Sequence, residues 1–190
     1  MKKPKKSGKR KIQMTLTTSS IDAAIKEVKG RKQYLERRIR AACDEIAGRA
    51  VELCRANLLA ETSKQSGDLY NSIKAEVVYD GDRKGGKFRV LLKADSKHAL
   101  YVEFGSGIEG AKSPHPQAGK WKGGDYKEKG WYTAAEGKDM AQMYGWVPLE
   151  LPDGTIIYYT EGQPARPFMY KTQQQLREEI PEIMRRVFEK

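Results

Sequence analysis

The segment Ala99-Leu100-Tyr101-Val102-Glu103-Phe104-Gly105-Ser106-Gly107 is the pivot of this chain. Leu100, Val102 and Phe104 alternate with Tyr101 and Glu103, the period of a strand with one buried face. The alternation predicts a strand from Leu100 to Phe104, with Glu103 on the face opposite Leu100 and Val102. Gly105 and Gly107 stop it, because glycine turns the backbone where other residues cannot. A second signal, Pro164-Ala165-Arg166-Pro167-Phe168-Met169, opens a final helix, since proline suits a first helical turn.

Moving toward the N-terminus, Ile73, Ala75, Val77 and Tyr79 mark a strand from Ser72 to Tyr79, and Lys87 to Ala94 reads as another. Asp80-Gly81-Asp82-Arg83-Lys84-Gly85-Gly86 joins them as a hairpin loop, and Ser66-Gly67-Asp68 forms a turn ahead of them. Three successive strands predict an antiparallel meander. Further upstream, Ser19 or Ser20 can cap a helix whose first turn holds Asp22 and whose apolar residues are Ile21, Ala24, Ile25 and Val28. Gly30 predicts a break or kink. From Arg31 a longer helix carries Leu35, Ile39, Ala42, Cys43, Ile46, Ala47, Ala50, Val51, Leu53, Cys54 and Leu58 on one stripe, which covers the sheet. The fold class expected is therefore α+β: an antiparallel sheet packed against a long N-terminal helix and a C-terminal helix.

Between these parts, residues 105–162 read as an insertion. Its first forty residues are rich in Gly and Lys, and with their boundary they hold all three tryptophans, Trp121, Trp131 and Trp146, beside Tyr126, Tyr132 and Tyr144. So long a stretch with little regular structure usually has a task. Aromatics among lysines suit a protein interface, a small satellite core or a single-strand nucleic-acid clamp. Interface ranks first, which makes Trp121, Trp131, Tyr132, Tyr144 and Trp146 its candidate residues. A short strand from Val147 to Leu151, an edge strand because of Pro148, turns at Pro152-Asp153-Gly154 into Thr155–Thr160 as a projecting hairpin. In the final helix Phe168, Met169, Thr172, Leu176, Ile180, Ile183, Val187 and Phe188 form the stripe, and Pro181 predicts a kink or division.

Composition narrows the function. The chain has 190 residues, 38% hydrophobic and 32% charged, a polar balance that suits tails, long loops or surfaces completed by neighbouring subunits. It divides into a basic arm, residues 1–18, and a single α+β domain, 19–190. No apolar run approaches the length of a membrane span, and no apolar segment follows the charged N-terminus, so no membrane partner is expected. Cys43 and Cys54 lie roughly 16 Å apart along one helix, too far for a disulfide. Seven of the net +11 charges sit in the arm, at Lys2, Lys3, Lys5, Lys6, Lys9, Arg10 and Lys11. These are candidate contacts to DNA phosphates or an acidic partner, or else a solubilising tail.

Chemistry-bearing motifs fail on inspection. Gly105-Ser106-Gly107-Ile108-Glu109-Gly110 fits G-x-G-x-x-G, but Pro114 and Pro116 argue against a helix opening there, and no β-α-β unit follows. Asp80-Gly81-Asp82 begins like a calcium loop, yet Lys84 and Leu91 stand where oxygen ligands are required. His98 and His115 are lone histidines without spaced co-ligands. Nothing pairs a nucleophile with a base, so no enzyme, metal or cofactor is expected.

Three runs together resemble one family. Ser66-Gly67-Asp68-Leu69-Tyr70-Asn71-Ser72-Ile73, Tyr101-Val102-Glu103-Phe104-Gly105-Ser106-Gly107 and Pro164-Ala165-Arg166-Pro167-Phe168-Met169 resemble the tail-completion (head–tail joining, minor tail) family of long-tailed bacteriophages and their prophages. That family shows T-G-x-L-[RK]-x-S-I, Y-V-E-F-G-T-G and P-x-[RQ]-P-F in this order. Gly67, Leu69, Ser72, Tyr101, Glu103, Phe104, Gly105, Arg166, Pro167 and Phe168 carry the likeness. Ser66, Tyr70 and Lys171-Thr172 depart from it.

The resemblance implies a structural, non-catalytic virion subunit at the neck. It would form a homo-oligomeric ring, six-fold by expectation, between head-connector and tail-tube or terminator proteins around the DNA channel. A basic nucleic-acid-binding protein is the competing class. Two expectations follow: Glu103 pairs with Arg166, and deleting Lys112–Lys138 leaves a folded monomer that fails to assemble.

Overall fold

The computed structural model describes residues 17–62, 67–81, 86–120, 129–134 and 145–189. It is α+β, with helices at both ends of the described chain and antiparallel sheets between them. Helix α1, Thr18–Glu61, is one continuous helix of 44 residues, about 66 Å long. The break expected at Gly30 does not occur. The glycine costs about 1 kcal/mol in a helix interior, and the neighbouring pairs Glu27–Arg31 and Lys32–Glu36 support the same turns.

Gly67 opens a short helix α2, Asp68–Ser72, which runs directly into strand β1, Ile73–Asp80. Strand β2, Lys87–Ala94, pairs with it antiparallel, Ile73 opposite Ala94 and Tyr79 opposite Phe88. Ala75, Val77, Val90 and Leu92 lie on the face toward α1, while Lys74, Glu76, Arg89 and Lys93 alternate outward, as the sequence period requires. The outward face is laced by Lys93–Glu76 and Arg89–Asp80 ion pairs.

The expected third strand is a helix. Ala99–Phe104 forms α3, with Val102 N–H donating to the His98 carbonyl at 3.0 Å. Its buried residues, Ala99, Val102 and Glu103, are spaced i, i+3, i+4, whereas Leu100 and Tyr101 are exposed. Five residues are too few for alternation to decide between periods. The decisive group is Glu103, an inward carboxylate that apolar patterning assigned to the outer face. The meander is accordingly a two-stranded hairpin. A second correction follows at once: α4, Gly107–Lys112, does open at the glycine run, and Pro114 ends it after Ser113 rather than preventing it. A helix, not a strand, precedes it, so the dinucleotide reading still fails.

A three-stranded antiparallel sheet comes next, in the order β3 (Trp131–Thr133), β5 (Ile156–Thr160), β4 (Val147–Glu150). The expected hairpin is thus present, with Pro148 on an edge strand, but β3 joins it and it does not stand alone. Helix α5, Phe168–Glu189, runs back along α1 without being divided at Pro181. The core gathers Cys54, Leu58, Ile73, Val102 and Phe168, and a second cluster joins Ala42 to Ile183 and Val187. Burial raises the Cys54 thiol to about 11, so it behaves as an apolar core group.

Between the two long helices Arg49 clasps Glu179 with two bonds, 2.7 and 2.9 Å, and those bonds hold the carboxyl below the usual Glu range. A lowered folded-state pKa means this stabilisation is present above the ordinary value of 4.5 and is lost as pH falls through the lowered one. Thermal midpoints should therefore drop on acidification below about pH 4.5, and Glu179→Gln should flatten part of that drop while lowering the midpoint at neutral pH.

Candidate functional site

Helix α5 begins without a capping side chain, because Pro164-Ala165-Arg166-Pro167 offers no Ser, Thr, Asp or Asn. The first backbone N–H groups of a helix nevertheless need acceptors. Glu103, 65 residues upstream of Phe168, supplies them: Oε2 accepts from Met169 N–H at 2.8 Å and Oε1 from Tyr170 N–H at 2.9 Å. Oε1 also faces His115 Nε2 at 3.1 Å. Gln117 N–H donates to His115 Nδ1 at 2.9 Å, which fixes Nδ1 as an acceptor and places the ring proton on Nε2, pointing at the carboxylate. Glu103 is 6% exposed and His115 4%, so the cluster is sealed.

Aromatic rings and backbone close the cluster. Phe104 packs on the His115 ring at 4.4 Å and Tyr170 meets it edge-on at 5.4 Å. Arg166 N–H donates to the Val102 carbonyl at 2.8 Å, and Ser106 exchanges two backbone bonds with Gln163, 2.8 and 3.0 Å. The two segments cross so closely that side chains are excluded: a Cβ on Gly105 would lie 2.6 Å from the Ala165 nitrogen, and one on Gly162 2.0 Å from the Ser106 carbonyl oxygen. Both also have positive φ, 76° and 87°, which L side chains rarely adopt.

The expected Glu103–Arg166 ion pair is therefore replaced. The carboxylate does tie α3 to the start of the last helix, but through backbone amides and His115; Arg166 contributes its main chain. Among the other motif residues, Leu69 packs on the core, Ser72 Oγ donates to the Leu69 carbonyl at 2.8 Å, and Phe168 is fully buried. Gly67 starts α2, Tyr101 is exposed, and Pro167 precedes the first turn of α5. The three motifs thus converge on one junction that holds the fold.

The candidate interface residues separate. Trp131 is half-buried and its ring packs over Gly107, whereas Tyr132 is exposed on the opposite face of β3. Trp146 is half-buried; Trp121, Tyr144 and the arm residues Lys2 to Lys11 lie outside the described residues. His115 and Trp131 both fall within Lys112–Lys138, so deleting that stretch would remove part of the sealed junction. The folded monomer expected from the deletion is not what this structure supports.

Exposed apolar surface is the other notable feature. Directly opposed residues share a face, so Val147, Leu149, Ile157, Tyr159 and Tyr132 line one side of the three-stranded sheet. Val147 is 66% exposed and Tyr132 57%, while Tyr158 and Thr160 on the other side are buried. Sequence reasoning named the hairpin but not this face. Discounted as a lone histidine, His115 also escaped it, since its partners come from distant segments. A shallow groove of about 250 Å³ between α1 and the hairpin tip, lined by Gln33, Glu36, Arg37, Arg40, Tyr79 and Phe88, assembles no nucleophile and base. Among the described residues no group of three His, Cys, Asp or Glu is placed to hold a metal ion, and no helix is long and apolar enough to cross a membrane.

Residues 22–105 match the family model described as "Bacteriophage HK97-gp10, putative tail-component". The matched stretch runs from the first turns of α1 to the Gly105 turn, a little under half of the chain, and agrees with a phage head–tail joining or tail family. Over that stretch the chain is similar to a phage tail component. Neither a curated protein nor a solved structure matches the chain.

Removing the shared acceptor should expose how far the junction depends on it. Glu103→Gln should lower unfolding free energy by about 2 kcal/mol and Glu103→Ala by about 3 kcal/mol or more, measured by urea denaturation. A loss near zero for both would mean that α5 needs no cap from α3.

Proposed function

We propose that the chain is a tail-completion subunit of the neck, assembling with copies of itself into a ring that joins the head connector to the tail tube. What supports this reading is the pairing of a phage tail-component match with a fold that leaves apolar faces open. Monomeric soluble proteins rarely leave large contiguous apolar patches in water. The partners proposed are neighbouring copies, six by expectation, with a head-connector protein above and a tail-tube or terminator protein below. In this arrangement Lys2 to Lys11 would face the DNA of the channel, where phosphate contacts weaken steeply with salt.

The direct test is particle assembly without this chain. Electron micrographs of such a lysate should show filled heads and complete tails that remain unjoined, with joining restored by adding the purified protein. Normal joined virions, or heads with no tails at all, would contradict the proposed place in assembly.

A further inference from the structure

Two surfaces of this molecule are open, apolar and opposite in charge. The first is the N-terminal part of α1. Ile21, Ile25, Val28, Leu35, Ala42 and Ile46 follow one another at intervals of four and three or their sum, with Lys32 and Ile39 in the remaining places, the spacing of a helix-packing seam. Ala42 and Ile46 are seated on Ile183, Met184 and Val187 of α5. Arg38 then caps the end of α5 by donating to the Val187 carbonyl at 2.6 Å. The twenty residues of α1 before Arg38, about 30 Å of helix, carry the same seam onward with its side chains bare; Ile25 is 47% exposed.

Charge gives this overhang a direction. Residues 18–40 hold seven Lys or Arg against three Asp or Glu. Among the described residues the ion pairs of this stretch are Arg31–Glu27 and Lys32–Glu36, which leaves Lys26, Lys29, Arg37 and Arg40 unpaired. At 3.6 residues per turn Lys26, Lys29 and Arg40 fall on one side of the seam and Arg37 on the back of the helix.

The second surface is the bare face of the β3–β5–β4 sheet. Residues 145–160 contain no Lys or Arg, and Asp153 stands at the turn that ends this face, while Glu150, opposite Ile156, belongs to the other side. The Thr155 N–H, donating to Asp153 Oδ1 at 2.9 Å, keeps that carboxyl below the usual carboxylate range. Three strands spaced about 4.8 Å apart make a face roughly 10 Å wide, close to the diameter of one helix with its side chains.

We propose that copies of this chain assemble head to tail, the α1 overhang of one copy lying across the bare sheet face of the next. Ile21, Ile25, Val28 and Leu35 then cover Val147, Leu149 and Tyr132, and the basic edge of α1 at Lys26 and Lys29 runs beside Asp153. The inference rests on the ring reading above and names its two contact surfaces. A seam of isoleucine, valine and leucine is no match for phosphates, and two overhangs side by side would bring like charges together. Two different patches on one molecule make a heterologous contact, and such contacts close into rings when the rotation permits.

Ile25→Asp and Leu149→Asp each change an exposed side chain, so both variants should fold with circular dichroism and thermal midpoints close to wild type. In sedimentation velocity the wild-type chain should form closed oligomers and each variant alone should stay monomeric. Mixed one to one, they retain one intact seam and one intact face between them. The mixture should give a heterodimer and nothing larger. Oligomers formed by either variant alone, or a mixture that stays monomeric, would overturn the contact while leaving wild-type rings as evidence for the ring itself. A wild-type chain that remains monomeric at its highest soluble concentration would overturn both.

Discussion

A carboxylate buried against a helix N-terminus sets the architecture of this chain. Helix α5 must start where the backbone leaves Ala165 and Arg166, and nothing local can receive its first N–H groups. Glu103 receives two of them and holds its charge next to the positive end of the helix dipole. The helix α3 presents that carboxylate, and His115 returns from beyond Pro114 to donate a third hydrogen bond to it. The glycines at 105 and 162 let the two segments approach closely enough for all of this to meet.

The same arrangement explains why the ends of the molecule are open. With α5 fastened at its start by Glu103 and along its length by Asn57, Arg49, Glu45 and Arg38, its reach along α1 is fixed. Helix α1 is twice as long, 44 residues against 22. The surplus seam is left in water. Likewise the sheet is anchored through Trp131, Tyr158 and Thr160 on one side, and the pleat necessarily turns its remaining apolar residues outward. Surfaces of this kind suit a chain that gains its final form among other subunits.

Much of the fold was legible in local patterns. Eight-residue alternations with glycine-rich boundaries placed β1 and β2 to within a residue, and the Pro152-Asp153-Gly154 turn placed β4 and β5. Pro167 located the start of α5. The failures at α3 share a cause: each depended on a partner far away in sequence. Leu100–Phe104 alternates by accident, and only the amides of Met169 and Tyr170 reveal which face is inward. Glu103 was correctly linked to the last helix, yet an arginine side chain was chosen where backbone N–H groups do the binding. At Gly30 the reason is local, since the Glu27–Arg31 and Lys32–Glu36 pairs carry α1 through, and α5 runs undivided through Pro181.

Amide hydrogen exchange at Met169 and Tyr170 tests this dependence most directly. If the Glu103 carboxylate holds the α5 N-terminus, both amides should exchange only with global unfolding, as slowly as the core amides of α1. Exchange at the rate of a frayed helix end, with the rest of α5 protected, would contradict the claim that this contact fastens the two halves of the fold.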